Sequence, residues 1–271
     1  WVAFLIAALA TPSLAMLYVG RPMRAGVYLA LTLLVSLGAF LLARQGLWPA
    51  GLSFTPPLYL LTVVGIVDAI RIAVQHTTTF TGPWFTTWRG IAAVTVALVA
   101  LLAGYRMFFA TYVTPSGSML PTLQVNDQFV VSKRAYRDAA PQRGDVVALT
   151  VPGLLVIKRV VGLPGDVVVY DPGSRRLTIN GVAAGLENLE PNVVRETIGD
   201  RSYLVQHEGR SRGGRYEVPD GHYFVLGDNR DNSQDSRYDT FSFVPAANVL
   251  GKVTFVYWNT RDPVRAGTAV D

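Results

Sequence analysis

Two serines stand two residues apart in TPSGSMLPTL (114–123), with Pro115 and Pro121 on either side. Neither a membrane span nor a strand core calls for that arrangement. The segment is either a Ser/Pro linker or a place where a hydroxyl does chemistry. The chain has no cysteine and three histidines, so a nucleophile would come from serine, threonine, lysine or a carboxylate. A serine–histidine pair would need His207, in a polar stretch, or His222, at the head of an expected strand. Neither sits in a distinctive sequence context. There is no HExxH and no pair of histidines at ligand spacing, so no metal and no other cofactor is expected.

Lysine is the alternative base, and three are present: Lys133, Lys158 and Lys252. Lys133, between Ser132 and Arg134, reads as a solvated strand end. Lys158 follows GLLVI and precedes Arg159-Val160-Val161. In strand alternation it shares a face with Val156 and Val160, while Arg159 points the other way. Burial disfavours the charged amine. Bringing its pKa from ~10.4 to ~7–8 takes about 3–4 kcal/mol, which a few apolar neighbours can supply. A neutral amine beside a serine hydroxyl is a competent general base. A lysine that snorkels past a sheet edge is the other reading of the same spacing.

The elements that must position these groups fall into two textures. Residues 25–43 and 90–110 are long apolar runs, the first uncharged and the second interrupted only by Arg106. Each is long enough for a bilayer core of ~30 Å at ~1.5 Å per residue. Residues 2–20 and 52–70 are two further candidate spans, the former weakened by Pro12 and the latter by Pro56, Pro57 and Asp68; Asp68 is expected to pair with Arg71, three residues on. The chain opens on Trp1, and an incomplete N-terminus is expected; the opening segment is not read as a cleavable leader because further spans follow it.

Residues 1–106 carry six arginines against the single Asp68, which is the whole net charge of +5. The remaining 18 basic and 18 acidic side chains balance, so a nucleic-acid partner is not expected. The loops at 20–25 and 71–89 hold two arginines each, and 44–56 holds one. The positive-inside rule makes the first two cytoplasmic and delivers everything after 110 to the extracytoplasmic side of the cell membrane.

Beyond residue 111 short runs rich in Val, Ile, Phe and Tyr alternate with turn residues, among them DQFVVSK, GDVVALTV, DVVVYD and KVTFVYW. This predicts a mainly antiparallel, barrel-like β domain over 111–260 behind a membrane region at 1–110. Residues 171–222 are read as an insertion, and 184–221 as polar and partly mobile, with only YLV at 203–205 resembling a strand. Residues 261–271 form a tail. Gly162, Pro164, Gly165 and Asp166 read as a turn, and Gly227, Asp228, Asn229 and Arg230 as scaffold. Asp145 is placed at a strand start. Trp258, Phe255, Phe108, Phe109 and Tyr112 read as core or as an apolar surface at the bilayer.

Three segments in order, TPSGSMLPTL (114–123), IKRVVGLPGD (157–166) and GDNRDNSQDSR (227–237), resemble the conserved boxes of type I signal peptidases over about residues 107–260. The resemblance does not extend to the first three spans. It implies an endopeptidase that removes signal peptides from exported preproteins with a Ser-Lys dyad on a β-rich fold. By motif position Ser118 is the nucleophile and Lys158 the general base. The Ser116 hydroxyl and the Ser118 N–H form the oxyanion hole. Ser233 hydrogen-bonds the lysine amine, and Asp235 and Arg237 form a supporting ion pair. Thr114, Pro115, Met119, Leu123, Val156 and Ile157 match the pocket for a small residue before the cut. Preproteins and the lipid bilayer are the implied partners. Self-cleaving repressor proteases share the dyad but are soluble and bind DNA, against the spans and the charge balance here. A catalytically silent membrane protein with a binding β domain is the reading from another class.

Overall fold

The computed structural model describes residues 21–45, 103–151, 154–209 and 211–270, with short or isolated stretches between 16 and 100. Nearly all of the expected span at 2–20, and much of those at 52–70 and 90–110, lie outside the described residues. The chain divides into two compact units. One is residues 1–106 with 260–266, and the other is residues 107–259 with 267–271.

In the first unit, helix α1 runs Pro22–Arg44 over the expected span at 25–43. Among the described residues no helix is long and apolar enough to cross a membrane. The expected Asp68–Arg71 pair is corrected. Asp68 Oδ1 lies 2.8 Å from Arg24 Nη1, and its other oxygen accepts from Tyr28 Oη at 3.1 Å. A partner 44 residues away on another helix displaces the one that helical spacing offers.

The second unit is mainly antiparallel β. Its strands are β1 (Phe109–Val113), β2 (Asp127–Ser132), β3 (Val146–Val151), β4 (Leu154–Gly162), β5 (Val167–Asp171), β6 (Arg176–Ile179), β7 (Val182–Ala183) and β8 (Gly185–Glu190). They continue with β9 (Val193–Ile198), β10 (Arg201–Gln206), β11 (Gly214–Glu217), β12 (His222–Leu226), β13 (Val244–Pro245), β14 (Val249–Asn259) and β15 (Thr268–Ala269). The principal sheet has the order β1-β2-β14-β3-β4-β12-β13, with β15 added against β14. The barrel-like expectation is corrected. No ladder among the described residues joins β1 to β13, so the sheet stays open. Strand β1 starts at Phe109, inside the run expected to be a span, because Phe109–Val113 pair in register with Ser132–Gln128.

The polar stretch 184–221 holds more strand than its composition suggests. Strands β8, β9 and β10 form one small sheet, and β11, β5, β6 and β7 another. In β8 every residue is exposed, so no apolar alternation marks it. In β9 the inward positions include Glu196, which is fully buried and hides the period-two pattern. Trp258 packs into the interior, whereas Phe109 and Phe255 stay exposed.

Apolar clusters lie on the principal sheet. One contains Met119, Leu123, Phe129, Val131, Val146 and Val253. Another contains Val147, Leu149, Val160, Tyr223 and Val225. A third joins all three sheets: Val161, Phe224 and Leu226 from the principal sheet, Val168, Tyr170 and Leu177 from the second, and Val194, Tyr203 and Val205 from the third. The insertion therefore shares its core with β4 and β12. Leu177→Ala is expected to cost about 2–5 kcal/mol and, because that core is common, to lower one cooperative transition. Amide hydrogen exchange in β5 and β6 and in β4 and β12 should speed up together; loss of protection confined to β5 and β6 would contradict a shared core.

Candidate active site

The segment after β1 turns sharply while two side chains anchor it. Thr114 N donates to Asp127 O at 2.8 Å, extending the β1–β2 ladder by one bond, and Leu123 N donates to Met119 O at 2.9 Å. Met119 and Leu123 are buried, so the serines between Pro115 and Met119 remain at the surface of the fold. Ser118 is half-buried and Ser116 exposed. Their hydroxyl oxygens lie 3.5 Å apart.

Lys158 comes from the middle of β4. Val147 is directly across the ladder from it. Val147, Val156 and Val160 all belong to one apolar cluster, as the alternation predicts. The amine is buried, and Lys158 Nζ lies 3.0 Å from Ser118 Oγ. Loss of hydration lowers the amine's pKa to about 8; Asp235 and Asp228 pull it upward and Arg237 opposes them. The other two lysines differ. Lys252 Nζ is paired with Asp145 Oδ1 at 2.5 Å, and Lys133 is exposed. Among the described residues, neither His207 nor His222 makes a hydrogen bond to Ser118. His222 Nδ1 contacts Asp220 O at 2.9 Å, and His207 is buried with Nε2 unpartnered.

The loop after β12 closes over this pair. Gly227 N donates to Asp235 Oδ2 at 3.0 Å, and Asn229 N donates to Ser118 O at 3.1 Å. Arg237 Nε and Nη2 each donate to Asp235 at 2.8 Å, giving the expected ion pair in a fully buried setting. Asp228 is held by Arg159, Nε to Oδ1 at 2.8 Å and Nη2 to Oδ2 at 2.7 Å, and it accepts from the Thr122 hydroxyl. Ser233 departs from expectation. Its hydroxyl is buried without a hydrogen-bond partner, so the bond to the lysine amine is not made. Asp166, at the end of the 162–166 turn, accepts from Leu163 N at 2.6 Å, and Gly165 has φ of 82°.

A cleft of about 410 Å³ opens beside the two catalytic candidates. Its lining includes Thr114, Pro115, Ser116, Ser118, Met119, Val156, Ile157 and Lys158, together with Tyr112, Val113, Gly117, Phe129, Leu155, Asn232 and Gln234. Leu123 is corrected: it is fully buried in the apolar cluster behind Met119 rather than on the cleft wall. The sequence reading missed Tyr112 and Leu155 as lining residues. For Leu155 the signal was present, one residue before Val156 on an exposed strand end. Asn232 and Gln234 flank Ser233 and were legible only as motif letters. The Thr114 hydroxyl is buried at the cleft without a partner.

A protein-family model described as signal peptidase, peptidase S26 matches residues 87–258, which contain all three segments. Signal peptidase I of Pseudomonas fluorescens is 41% identical over 184 residues, covering 55% of this chain and 64% of that protein. Signal peptidase I of Bacillus caldolyticus is 35% identical over 178 residues, covering 65% and 88%. The crystal structure of a signal peptidase I from Enterococcus faecalis is 36% identical and covers 42% of this chain and 97% of that one at a TM-score of 0.31. The match spans 64% of the length of the curated Pseudomonas relatives.

Gly227 is the tightest point of the site. A Cβ there would stand 2.2 Å from Ser233 Oγ and 2.5 Å from Ser118 O. Gly227→Ala is expected to push the loop off the serine segment and cost about 1–3 kcal/mol, read by chemical denaturation. Unchanged stability would show that the loop moves aside without cost.

Proposed function

The chain belongs to the signal peptidase, peptidase S26 family, and on that footing we propose that it is a membrane-bound serine endopeptidase that removes N-terminal signal peptides from exported preproteins. The observation that carries the reading is the buried Lys158 amine 3.0 Å from the Ser118 hydroxyl. Neutral Lys158 takes the Ser118 proton as Oγ attacks the carbonyl carbon before the cut. The Ser118 N–H and the Ser116 hydroxyl stabilise the oxyanion as negative charge develops there. The ammonium returns the proton to the departing amine, which leaves an ester on Ser118. The neutral amine then draws a proton from water, whose oxygen attacks that ester, and the ammonium passes this proton to Ser118 Oγ as the ester C–O bond breaks, which frees the signal peptide and restores the dyad. Asp235 and Arg237 hold the loop that packs on Ser118. Thr114, Pro115, Met119, Val156 and Ile157 form the wall against which a small side chain would rest.

The bilayer belongs to the same proposal. The uncharged run 25–43 lies within α1, whose Leu29, Leu33, Leu34, Leu37 and Leu41 are exposed; exposed leucines on successive turns suit a lipid environment. The arginine pattern of the first 106 residues supports an extracytoplasmic catalytic domain at 111–260 behind a multi-pass membrane region.

With a signal-peptide substrate, Ser118→Ala and Lys158→Met are each expected to lower kcat by at least 10²–10⁴-fold, and Ser116→Ala by about 10²–10³-fold. His222→Ala should retain activity. Full activity in either dyad variant, or its loss in His222→Ala alone, would overturn the assignment. The base must be unprotonated to act, so kcat/KM should rise with pH and reach half its plateau near pH 8, where Lys158 titrates. A profile flat from pH 6 to 9 would refute a lysine base.

A further inference from the structure

Lys158 is followed directly by Arg159, and the partners of Arg159 lead away from the cleft. Its guanidinium pairs with Asp228 through two hydrogen bonds of 2.8 and 2.7 Å. It lies 4.0 Å from the centroid of the Tyr203 ring. The Tyr203 hydroxyl donates to Glu196 Oε1 at 2.7 Å. Both residues belong to the β9–β10 hairpin, which pairs Tyr203 directly with Glu196. Glu196 also receives both Nη atoms of Arg230, at 2.9 and 2.5 Å. The Arg230 carbonyl accepts from Arg237 Nη2 at 2.6 Å, and Arg237 holds Asp235.

Two arms therefore start at Glu196. One runs through Tyr203 and Arg159 to Asp228. The other runs through Arg230 and Arg237 to Asp235. Every charged member is buried. The hairpin is also tied to the loop by its backbone: Gln206 N donates to Asp228 O at 2.8 Å, and Arg230 N donates to Gln206 O at 2.9 Å.

We propose that Glu196 and Tyr203 are positioning residues: the β9–β10 hairpin of the insertion holds Asp228 and Asp235 in their arginine pairs and so fixes the charges that surround the Lys158 amine. This rests on Lys158 being the base. Asp235, Asp228 and Arg237 act on the lysine by charge, and Arg159 is its neighbour along β4. Arg230 and His207 are the charged and titratable groups that act on Glu196 besides Tyr203. Burial alone would push the Glu196 carboxyl up, but the charge and hydrogen bonds of Arg230 hold it below its ordinary value. The hairpin thus contributes a full negative charge that occupies Arg230. Without that charge Arg230 competes for Asp235 and Asp228 and weakens their pull on the amine. Without the Tyr203 ring, Arg159 loses the surface that keeps it on Asp228, and the carboxylate acts on the amine with less compensation.

Because the chain has three lysines, full-length protein labelled at lysine Cε gives three resonances whose pH titration reads Lys158 directly, with no need for activity. The parent midpoint tests the base assignment, and the differences between variants test the hairpin. Glu196→Gln, which keeps the shape and one acceptor oxygen for Tyr203 Oη and Arg230 Nη2 but removes the charge and the acceptor for Arg230 Nη1, is expected to lower the Lys158 midpoint. Tyr203→Leu is expected to raise it, each by roughly 0.5–1 unit, a fraction of the 1–3 units that a charge within 4–6 Å commands. Tyr203→Phe keeps the ring on Arg159 and should stay nearer the parent than Tyr203→Leu. A purely structural hairpin would, when loosened, admit water to the amine and move both midpoints upward. That result, no shift in either folded variant, or failure of Glu196→Gln to fold would overturn the proposal.

Discussion

A lysine amine kept out of water beside one serine hydroxyl is the constraint around which the site is built. Burial destabilises the ammonium form, and two nearby carboxylates would undo that effect if they stood alone. They do not: Asp228 and Asp235 are each bound through two hydrogen bonds to an arginine. Pairs of this kind are poor sources of net stability, because desolvation offsets most of the attraction, yet breaking one leaves an uncompensated buried charge that costs about 3–5 kcal/mol. The arrangement is therefore hard to rearrange in small steps. That suits a site in which the spacing of one nitrogen and one oxygen decides reactivity.

The fold meets this constraint by bringing three segments together beside β4, an interior strand of the principal sheet. Strand β4 supplies a face on which Lys158 lies among valines. The turn after β1 is held by Met119 and Leu123, which leave Ser118 at the rim. The loop after β12 is drawn tight where Gly227 meets Ser118 O and Ser233. The insertion shares a core with β4 and β12, so it is coupled to the two strands that carry or support the site.

Much of this was legible in the residues themselves. Period-two alternation put Lys158 on the valine face, and the Gly-Pro-Gly-Asp signal gave the 162–166 turn. Runs of β-branched residues marked β2 to β5, β12 and β14. Other features were not. Strand β8 is exposed along its whole length and β9 buries a glutamate, so neither shows the apolar alternation that identifies a strand. Leu123 sits in the serine motif but faces the core, because one helical turn separates it from Met119. Ser233 keeps its place in the motif, yet its hydroxyl makes no bond to the amine.

The sequence by itself determined the reactive side chains, their order and the local periods that set which way they point, since such patterns depend on neighbours a few residues apart. The tertiary structure alone decided the partners: Arg159 with Asp228 across 69 residues, Arg230 with Glu196 across 34, and Asp68 with Arg24 rather than Arg71. Such contacts depend on ladder register and on how turns aim distant segments at one another. No local spacing encodes that geometry.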